Sequence, residues 1–356
     1  MQKLRYAVIG AGNIARTKHL PGYAALGDRV EVVAACDINP QVLSGTADAF
    51  NIPVRETDYR RVLAREDIDL VSVCTPNDLH EEITVAALEH GKHVHCEKPM
   101  AISLASAERM RDTARRTGRQ LMVGLNNRYR AQVQYALSYV RSGALGEVYY
   151  AKCGWRRRAI AGAYGWFTDR RRSGGGPLID LGVHMIDLAL YLMDYPRAET
   201  VVANTFQKLI SGEQGYLFTH DNSRLQPGQT CDVEDLAVGH IGFPGGRAMG
   251  FEISWASHIE KEEVYCQLYG TRGGLRLSND GGNFNCKIFS VVNGAHADIL
   301  PQVKERLFAV NEFQDFVDSV LSGRPSAISS LDQHVEMLGL IGDIYRSAET
   351  GRQVIR

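Results

Sequence analysis

Arg5-Tyr6-Ala7-Val8-Ile9-Gly10-Ala11-Gly12-Asn13-Ile14-Ala15 is the stretch on which the reading of the fold turns. Its first five residues form a short apolar run that suits a buried parallel strand. Gly10 permits a tight turn directly after it. Gly12 carries no Cβ, so the backbone can approach a pyrophosphate. Ala15 is small enough for the following helix to lie close on the strand, with its N-terminus aimed at phosphate charge. Asn13 and Ile14 complete the loop and join the expected cofactor set. A second apolar run, Val30 to Cys36, ends in Asp37. An acid there accepts hydrogen bonds from the adenosine ribose hydroxyls and repels a 2′-phosphate, which predicts NAD in preference to NADP. A lone G-x-G-x-x-A also fits an ordinary strand-to-helix turn. Here strand, glycines, helix, second strand and terminal acid arrive in order, and that order favours the dinucleotide site.

Working outward, the βα rhythm continues. Leu70 to Cys74 reads as a strand leading into Thr75-Pro76-Asn77, then a helix containing Ile83 to His90 that Gly91 stops as a C′ residue. Lys92 to Cys96 is the next strand, with Glu97-Lys98-Pro99 directly after it, and Leu121 to Gly124 is a further one. Ligands of open α/β sheets bind beyond the carboxyl ends of the strands, and Gly10, Asp37, Thr75 and Lys98 all fall at such ends. The expected cofactor contacts therefore extend to Thr75, Pro76, Asn77, His80, Glu97 and Lys98, with Lys98 beside the nicotinamide; its bland alternative is a solvated surface lysine. Asn126-Asn127-Arg128 begins the crossing to a second domain, giving residues 1–125 and 126–356 as the two domains.

The middle of the chain holds an unusual helix. Gly174-Gly175-Gly176-Pro177 is a sound start signal, and Leu178 to Leu188 is apolar nearly all round, which implies burial. Yet Asp180 and His184 stand i, i+4 on one face, with Asp187 three residues beyond. Buried ionisable groups are costly unless paired or functional. A carboxylate beside an imidazole fixes its tautomer and stabilises its protonated form, as a general acid/base near neutral pH requires. A satisfied structural pair is the bland alternative, and on the helix alone the two are evenly matched; the nicotinamide site and Lys98 tip the balance to catalysis. No second His/Asp/Glu cluster offers further ligands, so no metal is expected.

Beyond this helix, runs such as Glu147 to Trp155, Thr200 to Leu209, Val233 to Phe243, Ala248 to Ser257 and Val264 to Tyr269 suit a mostly antiparallel sheet. Its uncovered face makes a homo-dimer or homo-tetramer plausible. Helical spacing recurs at Phe313, Phe316, Val317, Val320 and Leu321, and a final helix covers roughly Leu331 to Glu349. Before the catalytic helix lie Trp155, Trp166, Tyr164, Phe167 and two arginine clusters. Trp155 or Trp166 can stack on the apolar face of a sugar ring, Arg156 or Arg158 can hold an anionic group, and Arg128 is expected among the substrate contacts. For any one of them, core or solvated surface is the bland alternative.

Composition bounds the function. The 356 residues suit two domains, and a formal net charge of −1 provides no field for nucleic acid or anionic membrane. No apolar run is read as long enough to span a bilayer. Seven cysteines, scattered and odd in number, point to a reducing compartment, with cytoplasm as the default.

Together these motifs resemble the Gfo/Idh/MocA family, which groups glucose–fructose oxidoreductase, inositol dehydrogenase and their relatives. The resemblance rests on Gly10 to Ala15, Thr75-Pro76-Asn77-Asp78-Leu79-His80, Glu97-Lys98-Pro99, the Asp180/Gly182/His184/Asp187 segment and the ending Ser347 to Val354. It implies an α/β plus α+β chain: an N-terminal Rossmann doubly wound parallel sheet, then an open, mostly antiparallel sheet for substrate and self-association. It implies Lys98, Asp180 and His184 as the catalytic set. His184 would take a hydroxyl proton, Lys98 would hydrogen-bond the same oxygen, and Asp180 would contact substrate or tune His184. The expected function is NAD-linked hydride transfer at a sugar or polyol. The rivals are a redox-neutral glycoside-cleaving enzyme that oxidises its sugar transiently, and a non-catalytic NAD-binding sensor.

Overall fold

The computed structural model describes residues 3–160, 165–210, 225, 228–280, 283–304 and 311–356. The chain divides into two compact units, residues 1–125 with 311–338, and residues 126–310 with 339–356.

The first unit contains six strands: β1 Leu4–Ile9, β2 Val30–Cys36, β3 Val54–Glu56, β4 Leu70–Val73, β5 His93–Cys96 and β6 Leu121–Val123. They pair in parallel in the order β3-β2-β1-β4-β5-β6. The chain runs outward from β1 through β2 to β3, then returns to β4 on the other side. That reversal opens a crevice at the carboxyl ends of β1 and β4. Both faces are covered, so the strands read as continuous apolar runs: Ala7, Ile9, Val71, Val73, Val94 and Val123 share one core with Ile83, Ala87, Leu88, Ala107, Met110 and Ala114 of the helices His80–Glu89 and Leu104–Thr117. The second of these helices is punctuated by local chemistry. The Ser103 hydroxyl accepts from Ser106 N, and Gly118 ends the helix at φ 65°.

In one respect the division departs from a cut at residue 125. The helix Glu312–Ser322, expected in the second domain, belongs to the first unit. Phe313 explains why. Its ring lies 4.9 Å from Tyr23 and 5.5 Å from both His19 and His95. A Cβ on Gly22 would stand 2.2 Å from that ring, so the contact needs glycine there. Val335 and Leu338 join the same apolar core.

The second unit is built on a nine-stranded sheet: β7 Val148–Arg156, β8 Thr200–Phe206, β9 Leu236–Gly242, β10 Ala248–Ser254, β11 Glu263–Gly270, β12 Gly274–Asp280, β13 Asn283–Val292, β14 Ala295–Ile299 and β15 Val354–Ile355. The order is β14-β13-β12-β11-β7-β10-β9-β8-β15. Every pairing is antiparallel except β7 with β10. One face is apolar, with Ala151, Cys153, Met249, Phe251, Ile253, Cys266, Leu268 and Leu275 buried. The helix Val183–Leu192 packs on it over β7 and β11. Contrary to the reading of the sequence, the run Arg170–Leu192 is long and apolar enough to cross a membrane, with a mean hydropathy of 1.2 in its best window. That window is 89% buried inside the fold, as befits a core helix.

Candidate active site

In the first unit the glycine turn is shaped by its neighbours. Gly10 takes φ 89°, and a Cβ on it would sit 2.5 Å from the Cys74 carbonyl oxygen and 2.9 Å from Thr75 N. Only glycine lets the end of β1 press against the end of β4 in this way. Gly12 is the opposite case, because nothing lies within 4 Å of the place its Cβ would occupy. A side chain there would project into open space beside the turn. Asp37, at the end of β2, accepts from Ala11 N at 2.9 Å and from Asn39 N at 2.8 Å, so its carboxylate is pinned to the loop. Thr75 Oγ1 is buried and has no hydrogen-bond partner among the described residues. An open cradle at Gly12, a pinned acid at a strand end and an orphaned hydroxyl at the reversal point fit a dinucleotide.

Asn13 and Ile14 are exposed where the helix begins. The helix opens with a wide π-type turn, Ala15–His19, before tightening over Leu20–Ala24, where Pro21 supplies no N–H. Asn77 is buried and Pro76 half-buried. His80 is only 1% exposed, with Nδ1 2.7 Å from the Pro99 carbonyl and Nε2 3.0 Å from the Thr75 carbonyl. It thus ties the loop after β4 to the loop after β5, and burial pushes its pKa below the usual imidazole range.

Glu97 lies at the end of β5 and is 6% exposed. Its Oε1 accepts from Lys18 Nζ at 2.8 Å and from His19 Nε2 at 2.9 Å; its Oε2 accepts from the Lys98 amide at 3.1 Å. Burial works against the charge on Glu97, but Lys18 and His19 outweigh it and hold the carboxyl well below its ordinary range. Burial likewise opposes the Lys18 ammonium, and Glu97 and Glu312 raise its pKa regardless. Lys98 itself is half-buried between buried neighbours.

In the second unit, the glycines ahead of the apolar helix have a steric reason. A Cβ on Gly175, at φ 152°, would stand 1.9 Å from the Tyr345 hydroxyl, and one on Gly176 would stand 2.1 Å from the Glu234 carbonyl oxygen. The buried Glu234 carboxylate accepts from Gly176 N at 3.0 Å, Leu178 N at 3.1 Å and Tyr345 Oη at 2.9 Å. It therefore satisfies backbone donors at the helix start. The chain enters through a π-type turn, Leu178–Gly182, then continues as Val183–Leu192.

Asp180 and His184 are both half-buried on this helix. Trp255 donates its indole N–H to Asp180 Oδ2 at 2.9 Å. Trp255 stacks on Phe167 at 5.2 Å with an interplanar angle of 20°, and Phe167 meets Trp166 edge-on at 5.2 Å. The His184 ring lies 6.1 Å from that of Trp155. Trp155 is fixed in turn, since its N–H donates to Glu262 at 2.7 Å and Arg157 lies 5.2 Å over its ring. Asp180 and His184 thus share a helix segment flanked by tryptophans from two strand ends.

Other expected residues fall elsewhere. Asp187 points to Arg128, whose Nε and Nη2 donate to its two oxygens at 2.8 and 2.5 Å, and Tyr195 Oη donates to it at 3.0 Å. Arg128 is fully buried, with its guanidinium over the rings of Tyr191 and Tyr195. The expectation that Arg128 meets substrate is corrected by that burial. Arg156 is corrected by strand alternation. It projects from the face opposite to Trp155 and pairs with Glu252 at 3.0 Å and with Glu263. Arg158 is exposed and donates to the Glu260 carbonyl at 2.8 Å. Tyr164 lies outside the described residues. Among the described residues no group of three His, Cys, Asp or Glu is placed to hold a metal.

Sequence reasoning passed over Lys18, Glu234, Trp255 and Glu262. Lys18 was within reach as a lysine one turn into the helix after the glycines. The other three lie in loops beside the ends of β9, β10 and β11, distant in sequence, and no local pattern marks them.

Comparison with known proteins agrees with this fold. The family model described as an oxidoreductase family with an NAD-binding Rossmann fold matches residues 4–125. The GFO/IDH/MocA C-terminal domain model matches residues 133–276. D-Glucoside 3-dehydrogenase of Escherichia coli is 33% identical, across 99% of this chain and 97% of that protein. Among solved structures, an aldose-aldose oxidoreductase from Caulobacter crescentus complexed with glycerol is 26% identical and superposes with a TM-score of 0.81 over 100% of both chains. Levoglucosan dehydrogenase in complex with NADH shares the fold at a TM-score of 0.87 over 99% of both chains, with 22% identity.

Proposed function

The chain belongs to the GFO/IDH/MocA oxidoreductase family, and from that premise we propose that it oxidises a secondary hydroxyl of an uncharged sugar or glycoside, reversibly and with NAD. The observation that carries the reading is the half-buried Asp180 and His184 on one helix segment, with Trp155 beside His184 and Trp255 bonded to Asp180. The half-buried Trp155 offers a ring that suits the apolar face of a pyranose, the buried Trp255 orients Asp180 through its N–H, and an imidazole suits proton transfer near neutral pH. When bound, NAD supplies the hydride acceptor. His184 accepts the hydroxyl proton. Lys98 donates a hydrogen bond to that oxygen as negative charge grows on it. Asp180, oriented by Trp255, contacts substrate or tunes His184.

The arginines favour an uncharged substrate. Arg156 is matched by Glu252 and Glu263, and Arg157 by Glu262 at 3.3 Å, so neither is left to hold a substrate anion. Asp37, Thr75 and the Gly12 cradle are the cofactor set, with Asn13, Ile14, Pro76, Asn77 and His80 around them. Ile38, 88% exposed beside Asp37, offers an apolar surface to the adenine. The same reading includes a cytoplasmic homo-dimer or homo-tetramer. All seven cysteines are free thiols, and the sheet of the second unit exposes Val202, Phe206 and Val291.

The test is near-ultraviolet absorbance of reduced nicotinamide, using purified protein, NAD and a panel of neutral glycosides, aldoses and polyols. Steady growth of NADH, one per sugar oxidised, is expected. Flat absorbance with cleavage of a glycoside would replace this reading with the redox-neutral one.

A further inference from the structure

The first unit holds a buried ionic cluster that the hydride chemistry does not itself require. Lys18 Nζ lies 2.8 Å from Glu97 Oε1 and 3.4 Å from Glu312 Oε1, with the three side chains 18%, 8% and 6% exposed. His95 Nε2 meets Glu312 Oε1 at 3.0 Å, and its Nδ1 meets the Tyr23 hydroxyl at 2.9 Å. His19 joins Glu97 to the Ser72 hydroxyl, at 2.9 and 2.8 Å. A Cβ on Gly124 would come within 3.2 Å of Glu97 Oε1, 3.3 Å of Lys18 Nζ and 3.4 Å of Glu312 Oε1, so the cluster is closely covered.

Such a cluster is a poor device for stability alone. Removing charges from water costs several kcal/mol per ion, and apolar side chains of similar volume commonly hold a fold as well or better. What ions and hydrogen bonds provide is direction. Four of the partners, Lys18, His19, Ser72 and Glu97, sit on segments leading to the cofactor crevice. Lys18 and His19 belong to the helix after the Gly10–Gly12 turn, Ser72 to β4 just before Thr75, and Glu97 immediately precedes Lys98. The Glu97 oxygen that does not face Lys18 accepts from the Lys98 amide at 3.1 Å.

We propose that Lys18 and Glu97 are a positioning pair for Lys98, in which Lys18 anchors the Glu97 carboxylate and Glu97 fixes the backbone from which the Lys98 side chain departs. Glu97 then serves the reaction through Lys98 rather than by binding cofactor. Glu312, with His95, holds Lys18 from the other side. The proposal rests on the reading of Lys98 as a donor to the reacting oxygen.

The experiment uses the full-length protein, NAD, and methyl α-D-glucopyranoside as the probe sugar. Lys18→Met keeps the stem and removes the charge. Its kcat should fall at least tenfold, while KM for the glycoside and the Kd for NAD, read by protein fluorescence, stay within about threefold. Hydrogen exchange of the Lys98 amide should accelerate at least tenfold, a readout that does not depend on the probe sugar. Lys18→Arg should recover most of the kcat, because a cation is restored to Glu97. Glu97→Gln, nearly isosteric, keeps the pair testable if Lys18→Met folds poorly, and should show the same loss of kcat. Unchanged kcat and unchanged Lys98 exchange in Lys18→Met, or in Glu97→Gln, would overturn the proposal. Lys98→Ala separates the two ideas. If it is inactive while Lys18→Met is normal, only the positioning pair falls; if it is fully active, the role of Lys98 falls and the pair with it.

Discussion

Replacing Arg128 with methionine tests whether this residue is an anchor beneath the Asp180/His184 helix or a substrate contact. In the native second unit its guanidinium is fully buried, bonded through two nitrogens to Asp187 and lying 4.7 and 5.5 Å over the rings of Tyr191 and Tyr195. Methionine fills much of the stem volume but leaves the Asp187 carboxylate buried, with the Tyr195 hydroxyl still donating to it at 3.0 Å. Removing one member of a buried pair costs about 3–5 kcal/mol, because the survivor stays desolvated. For a unit of this size each kcal/mol moves the melting midpoint by about 2–4 °C, so a fall of roughly 6–20 °C is expected. Arg128→Met/Asp187→Leu removes both charges and should recover most of that loss, since an apolar pair pays no desolvation penalty. The assay is calorimetry or circular-dichroism melting of the single and double variants. A single variant within about 1 kcal/mol of native, or a double variant no better than the single, would refute the anchor. Native melting in Arg128→Lys combined with a large rise in substrate KM would restore the substrate role.

Gly12→Ala should fold normally, since its Cβ meets nothing within 4 Å, yet bind NAD at least tenfold more weakly; an unchanged Kd by fluorescence titration would remove the pyrophosphate from that cradle. His19, pushed down to about 4 by burial, gives a signed pH effect. Between about 6.5 and 4 the unfolded chain binds a proton that the folded one does not, so stability falls as pH drops through that window. The shift is worth about 3 kcal/mol, and His19→Gln should flatten the fall in melting temperature; identical slopes would show that His19 does not contribute. Trp255→Phe deletes the donor to Asp180, a charge-assisted bond worth about 1.5–3 kcal/mol, so kcat/KM should drop roughly tenfold to a hundredfold unless Asp180 is idle. Asp37→Ala should narrow the preference for NAD over NADP about tenfold, and an unmoved ratio would show that Asp37 does not read the ribose.

The first unit was the more legible half, because its strands are short, apolar and closed by residues with a single stereochemical use. Gly10 is glycine because of Cys74 and Thr75, and Asp37 ends β2 where it can be pinned by the Gly10–Gly12 turn. The helix with Asp180 and His184 also announced itself, as polar residues on an apolar background. What stayed hidden was non-local. β12, β13 and β14 carry Gly274, Arg276, Asn279, Asp280 and His296 where alternation of apolar residues would mark strands, and their register comes from pairing. The parallel pairing of β7 with β10 leaves no local sign. Arg156 read as a ligand until strand alternation put it on the face opposite to Trp155. Phe313 showed helical spacing but not its partners, Tyr23 and His95, which lie far earlier in the chain.

The most direct test of the central claim is a paired time course of near-ultraviolet absorbance with NAD and methyl α-D-glucopyranoside or another neutral glycoside, comparing the native protein with His184→Ala. Steady NADH formation by the native protein, lost by at least a thousandfold in the variant while NAD binding persists, is the predicted result, since the variant lacks its general base. NADH formation at a near-native rate in His184→Ala would contradict it, and the base would have to be sought elsewhere.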